Sequence, residues 1–563
     1  MKKTFLVILF AVLASPAFAK TYDLEIKKQD VFITGKAVEA ITINGSIPGP
    51  TLRFKEGEDV VLKVKNSMDE VTSIHWHGIL LDGKFDGVPG LNGFHGIAPH
   101  TTFTYKFKVR QKGTYWYHSH SNLQEAQGVY GSIVIEPSET KTDRDYVIVL
   151  SDFSEENPNT ILNNLKIDSG YYNFNKRTVF TFFSDIKKNG FSATLRDYMD
   201  WGSMRMDPTD LSDVTKYHFL TNGKTADQNW TGIFKKGERV KLRFINASAM
   251  TIYDVSIPGL KMKLVEADGQ PVKPISIDEF RFGVAETYDV IVEPKEDKAY
   301  TIFSESIDRT GYARGTLAPH PDMLGTIPKM RPRTILTMSD MAMGGMDHSS
   351  MKGMGNDDSM GDMPGMDHGN KMNDDKMDMK MEGMDHSAMG HDMSGMDMGG
   401  MSMAGMNMDN VKSGWADRGT PEGNKALEYS DLISLHPQKD LRKPIREIEF
   451  KFGGSMNRYI WTINGEKFPE PIHLKYGERV RLKFVNETMM AHPIHLHGMF
   501  MQLENGQKMQ WLPNKHTVIV PPAKTVSLLL TADEAGEWAF HCHLLLHMAS
   551  GMMTSVTVDK ESK

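Results

Sequence analysis

Four short stretches hold most of the chemistry this sequence offers. They are His75-Trp76-His77-Gly78, His118-Ser119-His120, His492-Pro493-Ile494-His495-Leu496-His497-Gly498, and His541-Cys542-His543-Leu544-Leu545-Leu546-His547 running on to Met552. In an extended strand alternate side chains share a face, so each His-x-His pair presents two imidazoles together. One such pair is weak, because a core or surface histidine accounts for most single cases. Four pairs consume eight of the 21 histidines, and imidazole in that number is a ligand set for transition metals. The fourth stretch divides further: His541 and His543 face one way and Cys542 the other, placing two sites back to back across one strand. On the cysteine face His492, Cys542 and His547 make a trigonal set with Met552 as a weak axial donor, which is diagnostic of a blue electron-transfer copper. Copper would hold the sulfur as thiolate. Zinc suits the set less well, since a thioether fourth ligand and eight further paired imidazoles are foreign to its sites.

The elements that must position these residues are strands. Gly57 to Asn66 is echoed at Gly237 to Asn246 and at Gly477 to Asn486, each a Gly-Glu turn followed by apolar and charged residues at period two, the mark of a half-buried strand. An Asn-Gly turn precedes each copy, at Asn44-Gly45, Asn222-Gly223 and Asn464-Gly465. Self-similarity at so long a spacing means repeated domains, and short strands punctuated by Gly, Pro and Asn point to β-sandwiches. The reading is an all-β chain with sandwiches at 20–140, 141–335 and 415–563.

A chain of 563 residues is too long for one core, which agrees with three domains. A net charge of -7 gives no basic face for nucleic acid. The single cysteine cannot form an internal disulfide. Lys2 and Lys3, the apolar run Phe5 to Leu13 and Ala17-Phe18-Ala19 read as a signal peptide over 1–19, cut near Ala19. No later run is long and apolar enough for stable membrane insertion. Residues 336–414 form an insert whose 341–410 portion holds over half of the 40 methionines, with Gly, Asp, Ser and four His but almost no Leu, Ile, Val or Phe. Such a composition cannot close a core, so the insert is expected to be disordered, and thioether sulfur prefers Cu(I).

All four ligand stretches match the multicopper oxidases in residue identity, spacing and chain order, and the chain resembles that family over essentially its whole mature length. The resemblance implies three cupredoxin-like Greek-key β-sandwich domains and four copper ions. The type 1 copper takes the blue site above, the type 2 copper His75 and His495, and the type 3 pair His77, His118, His120, His497, His541 and His543. It implies a cluster between the first and third domains. The middle copy of the motif is followed by Asn246-Ala247-Ser248-Ala249-Met250 with no His pair, so that domain looks like a spacer without copper ligands. The implied mechanism passes electrons singly from the blue site through Cys542, His541 and His543 to the cluster, where dioxygen is reduced to water. Asp86, in Asp86-Gly87-Val88-Pro89, matches the family's acidic residue beside the cluster, although a turn or strand-end Asp fits it as well. Many relatives carry a second acid in the stretch corresponding to Met548 to Gly551; Met548-Ala549-Ser550 stands here, and Glu125 is the substitute.

Within the family the third domain is similar to the copper resistance protein A family of periplasmic oxidases, through Asn486-Glu487-Thr488-Met489-Met490-Ala491-His492-Pro493 and Gly498-Met499-Phe500-Met501. Met490 could dock Cu(I) near the blue site and Glu487 could accept the departing Cu(II). The expected reaction is oxidation of Cu(I) to Cu(II) with O2 as acceptor, in periplasmic copper tolerance. Additional labile Cu(I) would sit on the Met-rich segment, delivered by a periplasmic copper carrier. One rival is a laccase-like oxidase of phenols or another small organic reductant. The other is a copper-sequestering or carrier protein with a vestigial oxidase site. His95, His100, His218, His320, His436, His473 and His516 fall outside the motifs and read as structural or surface residues.

Overall fold

The computed structural model describes residues 20–137, 141–173, 176–203, 211–215, 217–334, 336, 414–455 and 458–559. The leader read at 1–19 and the Met-rich insert, but for residues 336 and 414, lie outside them. The described residues form six sheets, two from residues 20–136, two from 144–318 with Ala426–Leu427, and two from 446–558.

The three echoed motifs become the strands Asp59–Asn66, Val240–Asn246 and Arg479–Asn486. All three sit in the same local topology. Each runs parallel to an earlier strand, with Lys20 opposite Val60, Arg144 opposite Val240 and Arg446 opposite Val480. On its other edge each pairs antiparallel, with Thr102–Lys108, Thr287–Val292 and Thr525–Thr531. In all three Asn-Gly turns both residues have positive φ, the twist a two-residue hairpin loop needs. The first motif strand alternates buried and exposed residues, as period two demands. The middle copy is buried throughout, because Lys241 meets Glu266 and Asp289, while Arg243 meets Asp145 and Asp289.

The core of the first sheet pair joins Leu24, Ile26, Val60 and Leu62 to Leu52, Tyr117 and Ile133 of the facing sheet. The last pair closes in the same way, Phe450, Leu482 and Leu528 packing with Ile494, Phe540 and Val556. Helices lie beyond the all-β pattern: a group at Pro158–Ile167, Val179–Asn189 and Phe191–Ser203, and a short one at Leu545–Ala549 that carries His547. Asn157 caps the helix Pro158–Ile167, with Pro158 in its opening turn, where a missing N–H costs nothing. Its Ile161, Leu162 and Leu165 join the cluster that holds Trp461, Cys542 and Met552, so the middle segment shares a core with the cysteine site. No helix among the described residues is long and apolar enough to cross a membrane.

Candidate metal centre

The strand Gly536–Cys542 lies antiparallel to His492–Leu496, with Ile494 opposite Cys542 and His495 opposite His541. This register puts ring nitrogens on both faces of one strand. On the cysteine face His492 Nδ1 and His547 Nδ1 lie 3.6 and 3.8 Å from Cys542 Sγ, and 3.2 Å from each other. The far nitrogen of each ring is already engaged. Thr488 Oγ1 lies 2.8 Å from His492 Nε2. His547 Nε2–H donates to Asp213 Oδ2 at 2.5 Å, and the Tyr459 hydroxyl donates to the same oxygen at 2.9 Å. Trp461 stacks on His547 with centroids 3.9 Å apart. Met552 is fully buried, and its carbonyl accepts from the Cys542 N–H at 3.1 Å. Burial pushes the Cys542 thiol well up, so an ionised sulfur here needs a cation against it.

On the opposite face His75–His77 pairs antiparallel with Gly113–His118, His75 opposite His118. These rings interleave with those near the C-terminus. His75 stacks on His497 at 3.7 Å and His77 on His495 at 3.8 Å; His118 lies 4.9 Å from His543, and His120 5.0 Å from His541. Donor atoms fall within 4.8 Å of one another in the sets His75, His495, His497; His75, His77, His118; and His120, His497, His541.

Five of the outward nitrogens have defined acceptors. Asp86 O takes His75 Nδ1–H at 2.8 Å, Glu125 Oε2 takes His118 Nδ1–H at 2.6 Å, and Asp86 Oδ2 takes His497 Nδ1–H at 2.8 Å. His541 Nδ1–H donates to Cys542 O at 3.0 Å and His495 Nδ1–H to His516 O at 2.7 Å. The inward nitrogens have none. His75, His118, His120, His495 and His543 Nε2, with His77 Nδ1, are buried without a hydrogen-bond partner among the described residues. His497 and His541 turn their Nε2 atoms toward each other at 3.2 Å.

Burial, reinforced by neighbouring imidazoles, pushes His77, His118, His120, His495, His497 and His543 well below the usual histidine range, and burial brings His541 to about 4. The rings are therefore neutral, with lone pairs aimed inward. An unsatisfied buried ring nitrogen costs about 1–3 kcal/mol. Six of them converging in one nest make sense as donors to cations, and imidazole with one cysteine suits copper.

Asp86 and Glu125 are both buried beside these rings. Glu125 also lies 4.0 Å from His543 Nδ1. Burial, then Asp152, pushes its carboxyl well up. Met490 is buried, its carbonyl accepting from Asn486 Nδ2 at 2.7 Å. Glu487 is half exposed and faces Lys451 at 3.7 Å. Several neighbours were not singled out in the sequence: Asp213, Trp461 and Asp268 belong to no motif, and Thr488 was quoted only as part of the string leading to His492. His516, read as structural or surface, is buried with Nδ1 3.2 Å from His77 Nε2. Burial pushes it down to about 4 against the pull of Asp268. The middle segment supplies Asp213 and Asp268, so it touches the rings of a centre to which it gives no histidine.

Models of the multicopper oxidase family match residues 25–140, 144–321 and 442–562. Copper resistance protein A of Escherichia coli is 50% identical over 566 residues, spanning 96% of this chain and 92% of that protein. Multicopper oxidase MmcO of Mycobacterium tuberculosis is 27% identical, spanning 92% and 83%. Among solved structures, Fet3p, a multicopper oxidase that functions in iron import, superposes with a TM-score of 0.65 at 17% identity, covering 96% of this chain and 90% of that one. The laccase of Botrytis aclada gives 0.62 at 20% identity, covering 96% and 87%. The fold is thus shared with distant oxidases and the sequence with nearer ones, and with three family matches spread along its length the chain belongs to the multicopper oxidases, copper-dependent oxidoreductases with dioxygen as acceptor.

Proposed function

We propose that His492, Cys542 and His547, with Met552, would hold the type 1 copper, His75 and His495 the type 2 copper, and His77, His118, His120, His497, His541 and His543 the type 3 pair. The nest of unpartnered inward nitrogens carries this reading. Copper bound there supplies one-electron acceptance on the cysteine face and four-electron reduction of dioxygen to water on the other. The chain's own residues set the conditions. Thr488 and Asp213 occupy the Nε2 atoms of His492 and His547 and leave both Nδ1 atoms to face the sulfur. Cys542 is bonded through the backbone to His541 and His543, so one strand links the two faces. Asp86 holds His75 and His497 in place. Glu125 accepts from His118 through Oε2 while its buried Oε1 has no partner among the described residues. A carboxyl kept neutral by burial carries its proton on Oε1, where it is available to the reduced oxygen.

The proposed substrate is Cu(I), four ions being oxidised as one O2 and four protons become two waters. Three observations support it: the methionines of 341–410, the buried Met490 two residues before His492, and half identity to a relative named for copper resistance. The Met-rich segment would bind further labile Cu(I), and Glu487 would receive Cu(II) at the surface. The leader suits export to a periplasm, with a copper carrier as delivering partner. Phenols remain the rival substrate, since Laccase-2 of Botryotinia fuckeliana is 29% identical over half of this chain. Rates of Cu(I) and phenol oxidation, with and without residues 341–410, decide between them. Fast Cu(I) oxidation that falls on deletion is expected. Fast phenol turnover without added copper, with negligible Cu(I) oxidation, refutes the substrate.

A further inference from the structure

Seven of the eight paired rings aim Nε2 inward, and His77 alone aims Nδ1. A neutral imidazole has one N–H, so a ring that offers Nδ1 must carry its proton on Nε2 and needs an acceptor there. His516 provides it: its Nδ1 lies 3.2 Å from His77 Nε2. The same residue's carbonyl accepts from His495 Nδ1–H at 2.7 Å, which leaves the lone pair of His495 on Nε2.

We propose that His516 is a positioning residue that sets His77 and His495 in opposite tautomers, one through its ring and the other through its backbone. The proposal rests on the ligand reading above, because His77 and His495 are there assigned to different coppers. His516 would therefore couple the type 2 site to the type 3 pair without touching either metal.

The backbone of the residue is built in firmly, whereas accepting at Nδ1 puts the ring's own proton on Nε2, which is buried without a partner among the described residues. The N–H groups of His516 and Thr517 both donate to Asp268 Oδ2 at 3.1 Å. Lys515 Nζ lies 3.2 Å from that oxygen and 2.6 Å from Glu286 Oε1, with Lys515, Asp268 and Glu286 all fully buried. Asp268 and Glu286 belong to the middle segment, which thereby gains a task that a spacer would lack. The glycine of the first His-x-His motif also has a reason here. A Cβ on Gly78 would lie 2.6 Å from His516 Cδ2, and its φ is +77°, so the ring fits only against glycine. Thr517 Oγ1 lies 3.3 Å from His77 Nε2 and 3.1 Å from His516 Nδ1. Its hydroxyl can donate to His516 Nδ1 and also accept from His77 Nε2–H at the longer of the two distances, so the ring and the hydroxyl share this contact.

The test compares the copper-loaded parent with H516A, H516N and H516Q. It reads total copper, the visible band of the cysteine site, the near-ultraviolet band of the type 3 pair, the type 2 electron paramagnetic resonance signal, and copper loss to a chelator. Asn places an acceptor where His Nδ1 was, whereas Gln reaches past it. In H516A and H516Q the cluster should yield copper about ten- to a hundred-fold more readily, with a weakened type 3 signal, while the type 2 signal, whose ligand His495 keeps the backbone carbonyl, and the visible band stay unchanged; H516N should restore the type 3 signal. Cluster signals in H516A equal to the parent's overturn the proposal, as does loss of the visible band along with them, which marks a general structural role. A parent that itself lacks type 2 and type 3 signals defeats the ligand reading, and this proposal with it.

Discussion

Replacing Asp213 by asparagine should raise the reduction potential of the cysteine site. The carboxylate takes the Nε2–H of His547 at 2.5 Å and the Tyr459 hydroxyl at 2.9 Å, and asparagine can keep an oxygen in the same place. The change is thus close to the removal of one negative charge across one imidazole ring. With roughly 6 Å between that charge and a cation on Nδ1, the interaction is about 2–3 kcal/mol at an effective dielectric near 20. On a one-electron couple, where a tenfold change is about 59 mV, this is roughly 100 mV. An anion there favours the oxidised, more positive copper, so its removal moves the potential upward. Anaerobic redox titration of the visible band reads the shift, and D213A, which removes the hydrogen bond as well, should broaden or shift that band. A D213N midpoint within about 20 mV of the parent, or below it, refutes the electrostatic coupling, since screening would then have to exceed the effective dielectric assumed.

Three further outcomes follow from the same geometry. C542S should abolish the visible band and lower bound copper by one while the cluster signals persist, because only Cys542 supplies sulfur as thiolate to the site; a retained band defeats the assignment. E125Q should slow oxygen consumption about a hundred-fold, within the range for a positioned proton donor, while anaerobic reduction of the visible band keeps its rate; equal oxygen consumption removes Glu125 from the proton path. Burial alone would raise the Asp254 carboxyl, but Arg281, Arg309 and Arg331 outweigh it and hold it well below the usual carboxylate range. Its folded pKa is depressed, so its stabilising contribution is full above the unfolded value, near pH 4, and is lost as the pH falls through the folded one. D254N should cost about 3–5 kcal/mol at neutral pH, with a melting-temperature gap that narrows only in strong acid; a gap independent of pH contradicts the ion cluster.

Much of this was legible in the sequence because strands repeat at period two. The three echoed motifs occupy equivalent central strands with equivalent neighbours, and alternation alone places Cys542 opposite in direction to His541 and His543. What the sequence hid lacks any periodicity. Asp213 reaches His547 across 334 positions, and no local pattern marks an acid that acts at such a remove. His516 has no histidine two residues away, so it resembled any isolated histidine; Gly78, beside the first pair, was its only trace. The helices at 158–203 escaped because Asn157-Pro158, a helix start, also reads as a turn inside a β domain. That Ile161, Leu162 and Leu165 of the first helix join the core cluster that holds Cys542 is a tertiary fact.

A copper count on the purified, copper-loaded chain, taken with its absorption and electron paramagnetic resonance spectra, tests the account most directly. Close to four coppers per chain are expected, with an intense visible band from the Cys542 thiolate, a near-ultraviolet shoulder from the type 3 pair and a single type 2 signal. A colourless protein, one with a single copper, or one whose cysteine site holds zinc would contradict it.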